Sequence, residues 1–124
     1  MRKQKFTIEG RLDGMNDLIS ANRRSQYIGA KEKREQQDIC KHAIRACKVR
    51  PVLKYPVRIV LNWYEKNTMR DPDNIAAAKK FIMDALQETK TIKNDGFKEI
   101  KSFGDLFYVD KKNPRIEVVI IESE

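Results

Sequence analysis

The chain has only two cysteines, one histidine, five glycines and four prolines among its 124 residues, and each scarcity excludes something. With no CxxC pair and no cluster of Cys with His, a structural zinc site is ruled out. Cys40 and Cys47 lie seven apart, which on a helix places both thiols on one face, where they are expected to pack as small apolar groups. No apolar run approaches the length needed to span a bilayer, and no signal-peptide pattern precedes the first strand-like segment. The expectation is therefore a cytoplasmic protein with no membrane partner. No glycine-rich phosphate loop is present, which places a nucleotide-using transferase last among the enzyme classes. Neither an internal repeat nor a low-complexity linker divides the sequence. A chain of this length supports one hydrophobic core and not two, so residues 1–124 are read as a single domain.

Positive charge is abundant. Lys and Arg number 26 against 18 Asp and Glu, for a net charge of +8 and a pI near 9.6. Such a surplus points to a polyanion, nucleic acid ahead of an anionic membrane surface, although lysine-rich surfaces also serve solubility. Five Phe, one Trp, four Tyr and 40% hydrophobic residues mark a folded protein, and the charges are spread through it.

Periodicity gives the elements. Lys5–Glu9 alternates as a short strand that stops at Gly10. Arg11–Gly29 is loose, with Gly14-Met15-Asn16-Asp17 reading as a turn. Ala30–Lys48 carries a helical stripe of Ile39, Cys40, Ala43, Ile44 and Cys47, and Pro51 follows it. Pro56–Glu65 alternates with Val57, Ile59, Leu61 and Trp63 on one wholly apolar face. A helix from Asn74 to about Glu88 has Ile75, Ala78, Ile82, Ala85 and Leu86 on its stripe. Lys79 lies at the margin of that stripe, with Lys80 and Asp84 on the other side. After a loop over Lys90–Lys98, two strands, Glu99–Val109 and Arg115–Glu122, are expected to pair as an antiparallel hairpin across Asp110–Pro114. The order strand, helix, strand, helix, strand, strand predicts a small two-layer α+β domain with a mixed or antiparallel sheet and two main helices.

The stretch Arg70-Asp71-Pro72-Asp73-Asn74 stands apart. Pro72 pushes Asp71 toward extended geometry, and in extended chain Asp71 and Asp73 would face the same side, roughly 6.6 Å apart at the backbone. Two carboxylates that close suit a cation between them, and Mg²⁺ takes one or two carboxylates while keeping several waters. Asp, Asn and Pro are also ordinary turn and capping residues, and on spacing alone a plain turn is the commoner explanation. Asp95, in the turn Asn94-Asp95-Gly96, is a third acid, and the residues from Thr89 to Phe97 have the reach to fold back toward the pair. Acids gathered near lysines in a basic chain suggest metal-assisted phosphodiester cleavage, a lysine stabilising the developing charge.

At these residues the sequence resembles the RusA family of Holliday junction resolvases, small endodeoxyribonucleases often carried by phages and prophages. The resemblance runs through Arg70-Asp71-Pro72-Asp73-Asn74, then Lys80 with Asp84-Ala85-Leu86, then Asn94-Asp95, and covers about the C-terminal half closely. It implies a RusA-like fold, with Asp71, Asp73 and Asp95 as metal-binding catalytic acids. It also implies Mg²⁺, or Mn²⁺ as a substitute, and a homodimer acting on four-way DNA junctions. Two departures stand out. The family's best-known member has its essential lysine four residues after the second Asp, where this chain has Ala77. Alignment from Asp84-Ala85-Leu86 selects Lys80 instead, with Lys79 as the alternative. The family's usual second acid in the later turn is Asn94 here. The expected activity is a divalent-metal-dependent, structure-selective DNA endonuclease. Its rival is a non-catalytic DNA-binding or architectural protein whose acidic turn is only structural.

Overall fold

Strict alternation builds the centre of the sheet: from Val57 to Glu65 every odd residue is buried and every even one is partly or fully open to solvent. The same period buries Phe6 and Ile8 near the N-terminus and Ile116, Val118 and Ile120 near the C-terminus. The computed structural model describes residues 1–124. Its elements are β1 (Lys3–Glu9), α1 (Met15–Arg24), α2 (Gln26–Ala46), β2 (Val57–Glu65), α3 (Pro72–Ala76), α4 (Lys79–Glu88), β3 (Ile100–Val109) and β4 (Arg115–Ile121). This is an α+β domain with one mixed four-stranded sheet in the order β1-β4-β2-β3. No helix is long and apolar enough to cross a membrane.

The expected hairpin between the last two strands does not form. β3 pairs with β2 in parallel, and β4 runs antiparallel to both β2 and β1, so β2 lies between the two consecutive strands. Burial explains the placement. The three inward residues of β4 are 0–2% exposed between its two neighbours, whereas Phe103, Leu106, Phe107, Tyr108 and Val109 of β3 are all at least 38% exposed, a pattern that suits an edge. The β2-α3-α4-β3 segment supplies the helical crossover that parallel neighbours need.

The segment from Arg11 to Gly29, expected to be irregular, is mostly helical. Gly14 precedes α1, and the Asp17 carboxylate three residues on accepts the Gly14 N–H at 2.9 Å. Ser25, in extended geometry, ends α1 and caps α2, its hydroxyl accepting the Ile28 N–H at 2.9 Å. Met15, Leu18 and Ile19 fall at i, i+3 and i+4 along α1, a stripe the sequence reading passed over, although only Ala21 in it is buried.

The helix expected over Asn74–Glu88 is interrupted. At Ala77 and Ala78 the bonds tighten to i→i−3 (Ala78 to Ile75, Lys80 to Ala77, Phe81 to Ala78), leaving a short α3 and a separate α4. The two thiols also part company. Cys40 is buried, and burial pushes its thiol up to about 12, whereas Cys47 sits at the C-cap of α2, exposed. The helix ends two residues before the expected Lys48, which follows the cap in left-handed geometry at φ 54°.

Candidate functional site

β2 delivers the acidic turn, and the motif Arg70-Asp71-Pro72-Asp73-Asn74 divides into residues that fasten it and residues left free. Glu65, buried at the end of β2, takes Nε and Nη2 of Arg70 at 2.9 Å each, a bidentate pair. Arg70 Nη1 donates to the Leu12 carbonyl at 3.0 Å and stands 4.0 Å from the Asp17 carboxylate. At the other end of the motif, Asn74 Oδ1 accepts the Asn16 N–H at 2.9 Å. Asn16 is in the first turn of α1, whose N-cap residue is a glycine with no acceptor of its own. Asn74 therefore supplies from across the fold the bond that an N-cap side chain ordinarily makes. A Cβ on Gly14 would sit 2.7 Å from Asn74 Oδ1, so glycine is required there by close approach.

The acids between these two anchors are differently placed. Asp71 is extended at φ −72° and ψ 149°, as the residue before a proline should be. It occupies the N-cap of α3 yet its side chain makes no capping bond. Asp73 falls in the first turn of α3, and its Oδ1 accepts only the N–H of the adjacent Asn74, at 2.9 Å. Both residues are exposed, and neither enters an ion pair. The expected extended geometry across the pair stops at Asp71, because Pro72 is well suited to the first helical position and starts α3 at once.

The two lysines have separate partners. Lys79 Nζ lies 2.6 Å from Asp105 Oδ2 and 4.8 Å from the centre of the Phe103 ring, while Asp105 Oδ1 accepts Trp63 Nε1 at 2.9 Å. Lys80 is exposed and 3.1 Å from Asp84, which also accepts from Gln37 of α2 at 3.0 Å. The hydrogen bond that Lys80 donates to Asp84 holds its amine above the ordinary value, helped by the charge of Asp84 and then of Asp95, against partial desolvation. Lys80 is thus a cation at neutral pH and not a base. Neither amine is bonded to Asp71 or Asp73.

Asp95 is half-buried, its N–H donating to Asn94 Oδ1 at 2.9 Å. Its charge reaches Lys80, but no three His, Cys, Asp or Glu side chains are arranged to hold one metal ion. Asp71, Asp73 and Asp95 therefore do not form a three-carboxylate cage within the chain. The two exposed acids fit a looser role: their unclaimed lone pairs suit a hard cation that keeps waters and draws its remaining ligands from phosphate oxygens.

Asp105 and Glu65 carry much of the local architecture without having been picked out from the sequence, and Asn74 was quoted there only as the end of the acidic motif. The signal for Asp105 is an acid inside the otherwise apolar run Phe103–Val109. For Glu65 it is the inward position in an alternating strand. Beside Asp71, a cleft of ≈ 250 Å³ opens between the β2–α3 turn and the end of β3. Its lining includes the polar residues Asn67, Thr68, Arg70 and Asp71 and the apolar Ile75, Phe107 and Val109. No protein-family model matches the chain, and no curated protein matches it in sequence.

Proposed function

We propose that this protein is a divalent-metal-dependent, structure-selective DNA endonuclease of the RusA type that resolves four-way junctions by paired phosphodiester hydrolysis. The observation that carries the reading is the unmade cap. Asp71 stands where a carboxylate would ordinarily close a helix end, leaves that bond unmade, and with Asp73 stays exposed and unpaired while Arg70 and Asn74 fix the turn. A net charge of +8 supplies the attraction to DNA.

In this reading Asp71 and Asp73 hold Mg²⁺, or Mn²⁺ in its place. The ion, when bound, supplies hydroxide near neutral pH and offsets phosphate charge. Lys80, protonated and exposed, sets a positive charge beside the phosphate. Lys79 is committed to Asp105 and serves the local packing. Asp95, whose charge is felt at Lys80, is not gathered with Asp71 and Asp73 into one three-acid group. A homodimer follows from the substrate, because a four-way junction is approximately two-fold symmetric and needs paired cuts. The compartment is the cytoplasm, with the cell's DNA.

The test is a synthetic four-way junction incubated with Mg²⁺ or Mn²⁺ and resolved on a denaturing gel. Symmetric nicks are expected from the native protein, with binding but no cleavage from Asp71→Asn and Asp73→Asn. Cleavage at the native rate by either variant rejects the assignment. A second reading, a DNA-binding protein without catalysis, draws support from the absence of a three-acid cluster. Junction DNA that is shifted but uncut at every metal concentration favours it.

A further inference from the structure

The cleft beside Asp71 has a feature that metal binding does not require: an aromatic wall. Phe107 lines it and is 38% exposed, and the neighbouring Val109 is 56% exposed. Asn67, Thr68 and Asp71 belong to the same lining. At ≈ 250 Å³ the space falls just below the ~300–1,000 Å³ of pockets for drug-sized ligands, a size for one planar ring system.

Its surroundings say what that ring is attached to. Lys66 follows Glu65 directly, and the Asp110 N–H donates to the Glu65 carbonyl at 2.7 Å, which brings Lys111 and Lys112 to the same end of the sheet. All three lysines are exposed, and none has an acidic partner. A second copy of the chain is the poorer occupant. β3 is basic at both ends, with Lys98 and Lys101 before or at its start and Lys111 and Lys112 after it, so antiparallel pairing of two such edges opposes lysine to lysine. A polyanion meets the same charges favourably.

We propose that this cleft holds one unstacked nucleobase of a DNA strand, its ring laid against Phe107, with the flanking phosphates on Lys66, Lys111 and Lys112. The proposal rests on the endonuclease reading only in that the next phosphate then lies against Asp71. Stacking on an aromatic side chain is available to any base, and a base is free to stack there only where it has left the duplex. The site thus selects branched or single-stranded DNA over perfect duplex by shape and not by sequence.

Binding is measured by anisotropy in EDTA, so that cleavage plays no part, using a short single-stranded oligonucleotide and a four-way junction. The junction is made with and without an abasic site at each position next to the crossover. Phe107→Ala is expected to weaken both complexes about tenfold and Phe107→Trp to restore them. One abasic position should cost the native protein the same factor and cost Phe107→Ala nothing further. The Lys111→Ala/Lys112→Ala pair should lower the salt slope for the single strand by about 1.4. Native affinity in Phe107→Ala with native circular dichroism, or losses from Phe107→Ala and the abasic site that simply add, overturns the proposal. So does a Phe107→Ala variant that alters only self-association, which would assign the strand edge to a contact between copies. A protein that passes these tests but never cuts DNA retains the base site and loses the nuclease.

Discussion

The two ends of β2 treat carboxylates in opposite ways. At its start, Glu122 is buried, and one oxygen accepts the N–H groups of Leu53 and Lys54 at 2.7 and 2.9 Å while the other meets Arg2. Burial acts to raise its pKa, but the donors of Lys54, Arg2 and Leu53 outweigh it and hold the carboxyl below its ordinary range. At the far end, Asp71 and Asp73 are exposed, one with no donor and the other with only the adjacent N–H. Between the two extremes lies Glu65, paired with Arg70 and only 7% exposed at its side chain. Carboxylates that hold the fold have both oxygens engaged, and a fold with no use for two acids leaves them open to a ligand.

Substitutions at each kind of acid break or sharpen this contrast. The largest expected effect is on activity alone. Asp71→Asn should lower junction cleavage by more than about 100-fold, beyond what loss of an outer-shell metal partner costs. Its unfolding free energy should stay within about 0.5 kcal/mol of native, as for other surface changes. A large drop in stability would erase the distinction between the two ends of β2. Next is Arg70→Met, which strands the buried Glu65 charge and should cost about 3–5 kcal/mol in denaturant unfolding. Adding Glu65→Leu should recover much of that loss, and no recovery would mean that the Leu12 contact, and not the pair, carries the energy.

Gly14→Ala forces its methyl group onto the Asn74 amide and should cost about 1–3 kcal/mol through overpacking. It should also reduce cleavage, although residue 14 bonds neither Asp71 nor Asp73. The smallest effect is that of Glu122→Gln, expected to shift melting at neutral pH by only about 4 °C, equivalent to about 1 kcal/mol. The pH dependence is its sharper signature. A carboxyl whose folded pKa is depressed contributes stability that is fully present above the unfolded value and lost as pH falls through the lowered folded value. The native protein should therefore lose more stability than Glu122→Gln on acidification below about pH 4.3, as read by melting across that range.

Much of the fold was legible where one physical signal dominated. β2 shows because each of its inward residues must be apolar or paired, and α4 because Phe81, Ile82, Ala85 and Leu86 share its buried side. The strand order was not legible. Whether Arg115–Ile121 pairs with its predecessor or slips between β1 and β2 depends on which strand most needs cover on both flanks, a comparison across the whole sheet. α1 was hidden because its capping acceptor comes from Asn74, far along the chain. At the site, Asp71 and Asp73 were singled out as candidates by their spacing, and Asp95 was joined to them by reach. The structure gathers no three acids around one ion, and reach says nothing about direction. Lys79 and Lys80 could not be separated on a helical wheel, and only the position of Asp105 on the neighbouring strand tells them apart.

The bond from Asn74 to the first turn of α1 has a consequence for how occupancy of the acidic turn is sensed elsewhere. Because Asn74 belongs to the acidic turn and its side chain closes the first turn of α1, tightening the turn should slow hydrogen exchange at Asn16, far earlier in the chain than either acid. A ligand bound at the acids would then announce itself at the opening helix, and that amide becomes a reporter for the site that needs no label near it.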